Sequence, residues 1–144
     1  MKIAFGCDHG GYELKEALKK TVEKLGHEVE DFGCYSLESC DYPDFGAAAA
    51  KAVAEGKCEK GIVVCTTGIG ISIAANRFEG IRCALCGDCF SAQATREHND
   101  SNILALGARV TAGGLALKIV DTWLDTPFSE GPRHKQRIAK IEEM

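Results

Sequence analysis

Short apolar runs rich in β-branched residues alternate along the chain with longer stretches in which apolar residues recur every three or four positions. The short runs predict strands at residues 3–7, 27–32, 61–64, 81–86 and 103–106. The longer stretches predict helices at 12–25, 45–54, 90–98, 114–124 and 133–142, with a further helix beginning at Ser72. Because strands separated by helices of this length pair in parallel, the pattern predicts an α/β fold with a parallel sheet covered on both faces.

The bulk composition narrows the class of protein. With 144 residues, the chain suits one domain with one core, spanning 1–144. The formal net charge of -4 gives no reason to expect binding to nucleic acid or to an acidic membrane surface. No apolar stretch has the length of a membrane span, and the first residues enter a strand without the pattern of a signal peptide. We therefore expect a cytoplasmic protein.

The central strand is followed by Cys65 and a glycine-rich segment, Thr66–Ser72. Gly68 and Gly70 let the backbone turn tightly and point N–H groups at a ligand, and the positive end of the next helix would face the same place. A thiol beside several N–H donors can remove a proton and hold the resulting oxyanion. The alternative is a structural cysteine before an ordinary turn, because free cysteines are usually buried. The segment matches neither a Walker motif nor a dinucleotide-binding fingerprint.

Ligands of parallel sheets bind at the carboxyl ends of the strands. This rule places four segments on one rim: Cys7–Gly11, the Cys65 loop, the turn at 86–89 and Gly107–Arg109. On that rim, Asp8 and His9 could orient sugar hydroxyls or contact a phosphate. The alternative is that Asp8 caps the following helix.

Two further polar clusters lie on predicted helices. His98 and Asn99 end one helix, where they could be an ordinary solvated terminus, although a histidine suits proton transfer near neutral pH. Arg133 and Arg137 are spaced i, i+4 on the last helix, so their guanidinium groups share one face and could clamp a phosphate. The alternative is an ordinary exposed basic helix. Because this helix is terminal and polar, it could also lie against a second subunit.

The eight cysteines do not predict disulfides, because the expected compartment keeps thiols reduced. The spacing of Cys83, Cys86 and Cys89 resembles part of a metal site. Side chains of Cys83 and Cys86 would point to opposite faces of one strand, however, and no fourth ligand is adjacent. The sequence therefore predicts no metal site.

Taken together, these segments resemble the family of B-type ribose-5-phosphate isomerases, which also holds allose- and galactose-6-phosphate isomerases. The resemblance runs nearly end to end and is carried by residues 6–11 (GCDHGG), 41–43 (DYP), 65–76 (CTTGIGISIAAN), 91–93 (SAQ), 98–102 (HNDSN), 107–110 (GARV), and Arg133, His134 and Arg137. It implies a Rossmann-like three-layer sandwich with a five-stranded parallel sheet. It also implies a homodimer or tetramer with shared active sites and a C-terminal helix packed on the partner subunit.

The resemblance further implies an activity and the residues responsible for it. The reaction would interconvert ribose 5-phosphate and ribulose 5-phosphate through an enediolate, without a metal or organic cofactor. Cys65 would be the base, Thr67 would help the proton move between the two oxygens, and His98 would be the acid for ring opening. His98 and Asn99 could come from a different chain than Cys65. The implied substrate-binding residues are Asp8, His9, Tyr42, Thr66, Gly68, Ile69, Gly70, Ser72, Asn99, Arg109, Arg133 and Arg137.

Three other functions remain open on the sequence alone. An isomerase of a six-carbon phosphosugar, such as allose 6-phosphate, would need a pocket deeper by about one hydroxymethyl group. A non-catalytic sugar-phosphate sensor would keep the arginines and the glycine loop but would need neither Cys65 nor His98. A thiol redox protein would need an exposed member of the Cys83–Cys86 pair with a lowered pKa, which the interior of a strand does not offer.

Overall fold

The backbone, described for residues 1–144 by a computed structural model, contains five strands and six helices. The strands are β1 (Lys2–Cys7), β2 (Glu28–Asp31), β3 (Lys60–Cys65), β4 (Cys83–Leu85) and β5 (Ile103–Gly107). The helices are α1 (Tyr12–Lys24), α2 (Tyr42–Ala54), α3 (Ile69–Ala75), α4 (Cys89–Asn99), α5 (Gly113–Asp125) and α6 (Pro132–Glu142). Apart from α2, α3 and β4, the observed boundaries lie close to those that the hydrophobic pattern predicts.

The three exceptions have local causes. Helix α2 begins at Tyr42 rather than Phe45, because Pro43 stands in its first turn, where the missing N–H breaks no helical hydrogen bond. Helix α3 begins directly after Gly68, whose φ of 79° lies in the left-handed region and ends the preceding turn. Strand β4 is shorter than predicted, since the N–H of Arg82 donates to Asn102 Oδ1 over 2.8 Å instead of joining the sheet.

All strand pairs are parallel, and the order across the sheet is β2-β1-β3-β5-β4. This confirms the predicted five-stranded parallel sheet, with β2 at one edge. The chain runs from β1 outward to β2 and then returns to β3 on the other side of β1. A sheet with such a reversal opens a crevice at the carboxyl ends of the two central strands, here those of β1 and β3.

Helices cover both faces of the sheet and form the expected three layers. Helices α1, α4 and α5 supply one buried cluster, in which Trp123 is the largest side chain. Helices α2 and α3 supply the second cluster on the opposite face. Side chains of β3 alternate between the two, so that Val64 faces the first cluster and Cys65 faces the second. Cys65 therefore points toward the layer that contains α2 and α3.

Helix α6 lies apart from both layers and has no buried residue. It contacts α4, and its Glu142 forms an ion pair with Arg82, which directly precedes β4. These contacts place α6 at the amino ends of the strands. No helix combines the length and the apolar character that crossing a membrane would require.

Candidate active site

Cys65 ends β3 with its sulfur atom against the glycine-rich loop. The Gly68 N–H donates to Cys65 Sγ over 3.1 Å, and Cys65 is only 4% exposed. A side chain at position 68 would be excluded, because a Cβ there would lie 2.8 Å from the carbonyl carbon of Leu106 and φ is positive. The tight turn therefore requires glycine, and it aims an N–H donor at the atom that would bear the charge of a thiolate.

Two N–H groups at the start of α3, those of Gly70 and Ile71, have no acceptor within the protein. The other N–H groups from Gly68 to Ser72 have acceptors within the loop. The Ile69 N–H donates to Thr67 Oγ1 and the Ser72 N–H to the Gly68 carbonyl, each over 3.2 Å. Of the five backbone N–H groups from Gly68 to Ser72, only those of Gly70 and Ile71 therefore lack an acceptor.

The Ser72 side chain is likewise committed to the helix. Its hydroxyl donates to the Ile69 carbonyl over 2.7 Å, and Ser72 is 9% exposed. The Ser72 hydroxyl therefore has only its acceptor lone pairs left for a ligand, and its expected role in substrate binding stays a prediction. Sequence alone could not show this, because serine at a helix start serves equally well as a ligand and as a capping group.

Tyr42 from the start of α2 covers the same loop. A Cβ at position 70 would lie 2.5 Å from the Tyr42 Cζ atom and 2.9 Å from its hydroxyl oxygen. Only a glycine permits this approach. Tyr42 is 39% exposed, so the ring that lies against Gly70 is also open to solvent.

The segment after β1 forms the other wall of the crevice. Asp8 Oδ1 accepts from the Gly11 N–H over 3.1 Å, so this oxygen has the structural role at the start of α1 that the sequence left open. The N-cap residue itself is Gly11, and the second oxygen of Asp8 has no protein donor. His9 Nδ1 accepts from the Cys40 N–H over 3.2 Å, which leaves Nε2 available.

The threonines and Arg109 complete this edge of the sheet. The Arg109 N–H donates to the Thr66 carbonyl over 3.0 Å, and the Arg109 side chain is exposed. The backbone of Thr67 packs against Gly107, and Thr66 Oγ1 lies against Gly10. The predicted residues that share the carboxyl edge with Cys65 are Asp8, His9, Tyr42, Thr66, Thr67, Gly68, Ile69, Gly70, Ser72 and Arg109.

The remaining four predicted residues lie at the opposite edge. Helix α4 runs against the strand direction, so its last residue, Asn99, lies near the amino end of β5. Arg82, which precedes β4, donates from Nε to the Asn99 carbonyl over 2.9 Å. Strands rise about 3.3 Å per residue, so the two edges of the sheet are about 15 Å apart. One chain therefore does not bring His98 or Asn99 to Cys65.

The two arginines of α6 belong to this second edge. The His98 ring stacks on the His134 ring of α6, with centroids 4.5 Å apart and planes inclined by 16°. Arg133 and Arg137 flank His134 and are exposed. Burial, together with the charges of His98, Arg137 and Arg133, lowers the pKa of His134 below its usual 6.5. His98, Asn99, Arg133 and Arg137 thus form a second group of site residues, which we call the amino-edge group.

The cavities do not coincide with Cys65. One of about 280 Å³ opens beside the loop and is lined by Thr67, Ile69, Leu85, Cys86, Gly87, Gly107, Val110 and Thr111. A larger cavity of about 600 Å³ lies at the opposite edge, between residues 76–81 and the end of α6. Cys65 lines neither of these cavities.

Cys83 and Cys86 lack the features of a reactive thiol pair. Burial raises the pKa of Cys83 to about 12 and that of Cys86 to about 11, the opposite of what a reactive thiol pair needs. Cys86 packs in the first buried cluster, under α1, α4 and α5, and Cys83 packs against the second, under α2 and α3. The two side chains therefore point to opposite faces of the sheet, as predicted. No three His, Cys, Asp or Glu side chains are grouped to hold a metal ion.

Comparison with known proteins gives matches over nearly the whole chain. Residues 3–141 match the model of the family described as Ribose/Galactose Isomerase. Ribose-5-phosphate isomerase B of Escherichia coli (strain K12) is 50% identical over 140 residues, covering 97% of this chain and 93% of that protein. The putative sugar phosphate isomerase YwlF of Bacillus subtilis (strain 168) is 49% identical over 144 residues, covering 99% and 96%.

The fold has an equally close match among solved structures. The ribose-5-phosphate isomerase B of Clostridium thermocellum superposes with a TM-score of 0.97 at 56% sequence identity, covering 99% of this chain and 96% of that one. The three-layer arrangement described above is therefore the arrangement of that structure as well.

Proposed function

Because the chain belongs to the ribose/galactose isomerase family, we infer that it is an aldose–ketose isomerase that interconverts ribose 5-phosphate and ribulose 5-phosphate. The activity is that of the relatives which match it from end to end. One observation at the site carries the chemistry: the Cys65 sulfur is held by the Gly68 N–H beside two unused N–H donors, those of Gly70 and Ile71.

We propose that Cys65 is the base of the reaction. Its thiolate takes the proton from C2 of the open-chain aldose, and the electrons of that bond form the C1–C2 double bond while the C1 carbonyl oxygen becomes an oxyanion. The resulting thiol then returns the proton to C1. The proton of the C2 hydroxyl moves to the oxygen on C1, and the exposed Thr67 hydroxyl is placed beside this exchange.

The free donors at the start of α3 are suited to the enediolate. The N–H groups of Gly70 and Ile71 belong to the first turn of the helix, where negative charge is favoured. Gly70 is partly exposed, whereas Ile71 is 0% exposed within one chain. Loss of one such donor in other enzymes costs about 3 to 4 kcal/mol of transition-state stabilisation. The Tyr42 hydroxyl and the free oxygen of Asp8 lie at the same edge and would hold sugar hydroxyls.

The remaining groups would come from a second copy of the chain. We propose a homodimer, or a tetramer of such dimers, in which the amino-edge group of one subunit faces the carboxyl edge of the other. His9 and Arg109 would then bind the phosphate together with Arg133 and Arg137 of the partner subunit. His98 of the partner subunit would act as the acid for ring opening, and Asn99 of the partner subunit would hold a hydroxyl.

Two features of the surface support this assembly. The apolar side chains of Ile69, Leu85 and Val110 at the carboxyl edge are 53%, 43% and 70% exposed, a cost that contact with another subunit would remove. Helix α6 buries none of its residues within its own chain. It is therefore free to pack on the partner, as the resemblance implies.

A mixing experiment tests the shared site. Cys65→Ala and His98→Asn should each be inactive alone, but refolding them together gives mixed dimers in which one of the two sites has both native residues. A random mixture should therefore recover about a quarter of the native activity. The control is Cys65→Ala refolded with itself. A mixture as inactive as its components would show that Cys65 and His98 act within one chain, and full activity of His98→Asn alone would show that His98 is dispensable.

The substrate is tested by comparing ketose formation from ribose 5-phosphate and from allose 6-phosphate. We expect kcat/KM to favour the five-carbon sugar. A preference for allose 6-phosphate would identify a six-carbon isomerase using the same chemistry. Tight binding of both sugars without turnover would identify a sensor, and would refute the isomerase.

A further inference from the structure

Lys15, a residue that the proposed reaction does not use, is completely buried. Its side chain is 0% exposed in α1, on the outer side of β1. The ammonium group donates to Asp31 Oδ1 over 2.8 Å and to the carbonyl of Cys34, and the rings of Tyr12 and Tyr35 lie 5.5 and 5.3 Å from it. A buried cation needs partners that compensate its charge, so loss of the Cys34 contact would leave that charge partly uncompensated.

A neighbouring lysine shows what is special about Lys15. Lys19 donates to the other oxygen of Asp31, also over 2.8 Å, but it is 21% exposed and does not reach Cys34. The Gly33 N–H also binds Asp31, over 2.8 Å. Asp31 therefore has three donors. Gly33 begins the segment that leaves β2, and of the two lysines only Lys15 also reaches Cys34, whose N–H in turn donates to the Cys7 carbonyl over 2.8 Å.

The far end of that segment contacts His9. Residues 34–40 have no regular secondary structure, and Tyr35 and Leu37 within it are 68% and 60% exposed. At its far end the Cys40 N–H donates to His9 Nδ1 over 3.2 Å. A backbone N–H can only donate, so Nδ1 is the acceptor and a neutral His9 ring carries its proton on Nε2. This hydrogen bond therefore determines that Nε2, and not Nδ1, of neutral His9 can donate to a ligand.

We propose that Lys15 is a positioning residue: by holding the Cys34 carbonyl it keeps the Cys40 N–H on His9 Nδ1, and so presents Nε2–H of His9 to the substrate phosphate. The last step rests on the proposed function, which assigns the phosphate to His9. The first step concerns the free protein and is independent of any activity.

The first measurement therefore uses the unliganded native protein. Nitrogen-15 NMR of the imidazole rings distinguishes a proton-bearing nitrogen from one with a free lone pair, and His9→Asn identifies the His9 signals. We expect Nδ1 of neutral His9 to be the unprotonated nitrogen. A proton on Nδ1 would overturn the proposal whether or not the protein is an isomerase.

The second measurement compares Lys15→Met with Lys19→Met, which removes an ion pair to the same carboxylate without touching Cys34. Lys15→Met should give a mixture of His9 tautomers and raise KM about tenfold, the effect of about 1.4 kcal/mol of lost binding, with a smaller change in kcat. Lys19→Met should retain the native tautomer and KM. Equal effects of the two variants on the tautomer and KM would refute a specific role for Lys15.

Should Lys15→Met fail to fold, Asp31→Asn weakens the same anchor while keeping the size of the side chain. It should shift part of the His9 population to the other tautomer, and an unchanged tautomer would contradict the proposal. Native tautomer without isomerase activity in the wild-type protein would uphold the Lys15 anchor and refute the proposed function. Native activity with an unchanged KM in Lys15→Met would uphold the proposed function and refute the role of the Lys15 anchor.

Discussion

Gly70→Ala should uncouple catalysis from stability. The new methyl group would lie 2.5 Å from Tyr42 Cζ, whereas ordinary contacts begin near 3.4 Å, so the ring must move by about 1 Å. Tyr42 is at the surface and can make this movement at little cost in folding energy. Alanine is also favoured over glycine in helices by about 0.5 to 1 kcal/mol, so the free energy of unfolding should change by less than about 1 kcal/mol.

Activity should respond much more strongly. Displacements of about 1 Å at a reacting centre can cost about 100-fold in rate, so we expect kcat/KM for ribose 5-phosphate to fall between about 10-fold and 100-fold. The measurement is initial-rate kinetics beside urea unfolding of the same preparation. In a Tyr42→Ala background the added methyl group meets no ring, so Gly70→Ala should there cost less than about threefold.

Gly114→Ala is the matched control. Gly114 is also the second residue of a helix, but a Cβ there meets nothing within 4 Å. It should leave kcat/KM unchanged. Native kcat/KM in Gly70→Ala would refute the placement of Tyr42 and Gly70 beside the reacting atoms, and an equal loss in Gly114→Ala would refute the steric argument.

Two further predictions concern Cys65 and Asp31. Cys65→Ala should abolish ketose formation while retaining the native circular dichroism spectrum, and turnover within about tenfold of the native rate would rule out Cys65 as the base. Burial alone would raise the pKa of Asp31, but Lys15, Lys19 and the Gly33 N–H together hold it below its ordinary value of 3.8. The stability that ionised Asp31 contributes is therefore complete above about pH 4 and is lost as pH falls through the lower folded pKa. The stability gap between wild type and Asp31→Asn, measured by urea unfolding, should narrow from pH 6 to pH 3, and a gap that stays constant would contradict this assignment.

The fold could be predicted because the signals that determine it are local. Alternation of apolar runs and helical periods locates the five strands, and right-handed parallel connections then leave few topologies. The predicted start of α2 was wrong because a proline can either end a helix or stand in its first turn. Only the backbone conformation of Tyr42 and Asp44 around Pro43 decides between these two roles. The length of β4 depended on Asn102, whose side chain takes the N–H of Arg82 from a distant part of the sequence.

The site could be predicted only in part. Side chains at the ends of adjacent parallel strands meet at one edge, so the grouping of Asp8, Cys65 and Arg109 follows from the strand pattern. The same reasoning leaves His98 and the α6 arginines at the other edge, but the separation becomes visible only when α4 and α6 are placed. The anchor through Lys15 gave no signal, because a lysine among the charged residues of an amphipathic helix is normally assigned to solvent.

One molecule carries the Cys65 sulfur at one edge of the sheet and the His98 imidazole and the two α6 guanidinium groups at the other, about 15 Å away. Under the proposed assembly, dissociation and inactivation are then the same event, and specific activity becomes a function of the enzyme's own concentration. Dilution below the dissociation constant of the dimer would inactivate the enzyme without unfolding either subunit. Two variant genes, each encoding an inactive protein, could together produce an active mixed dimer.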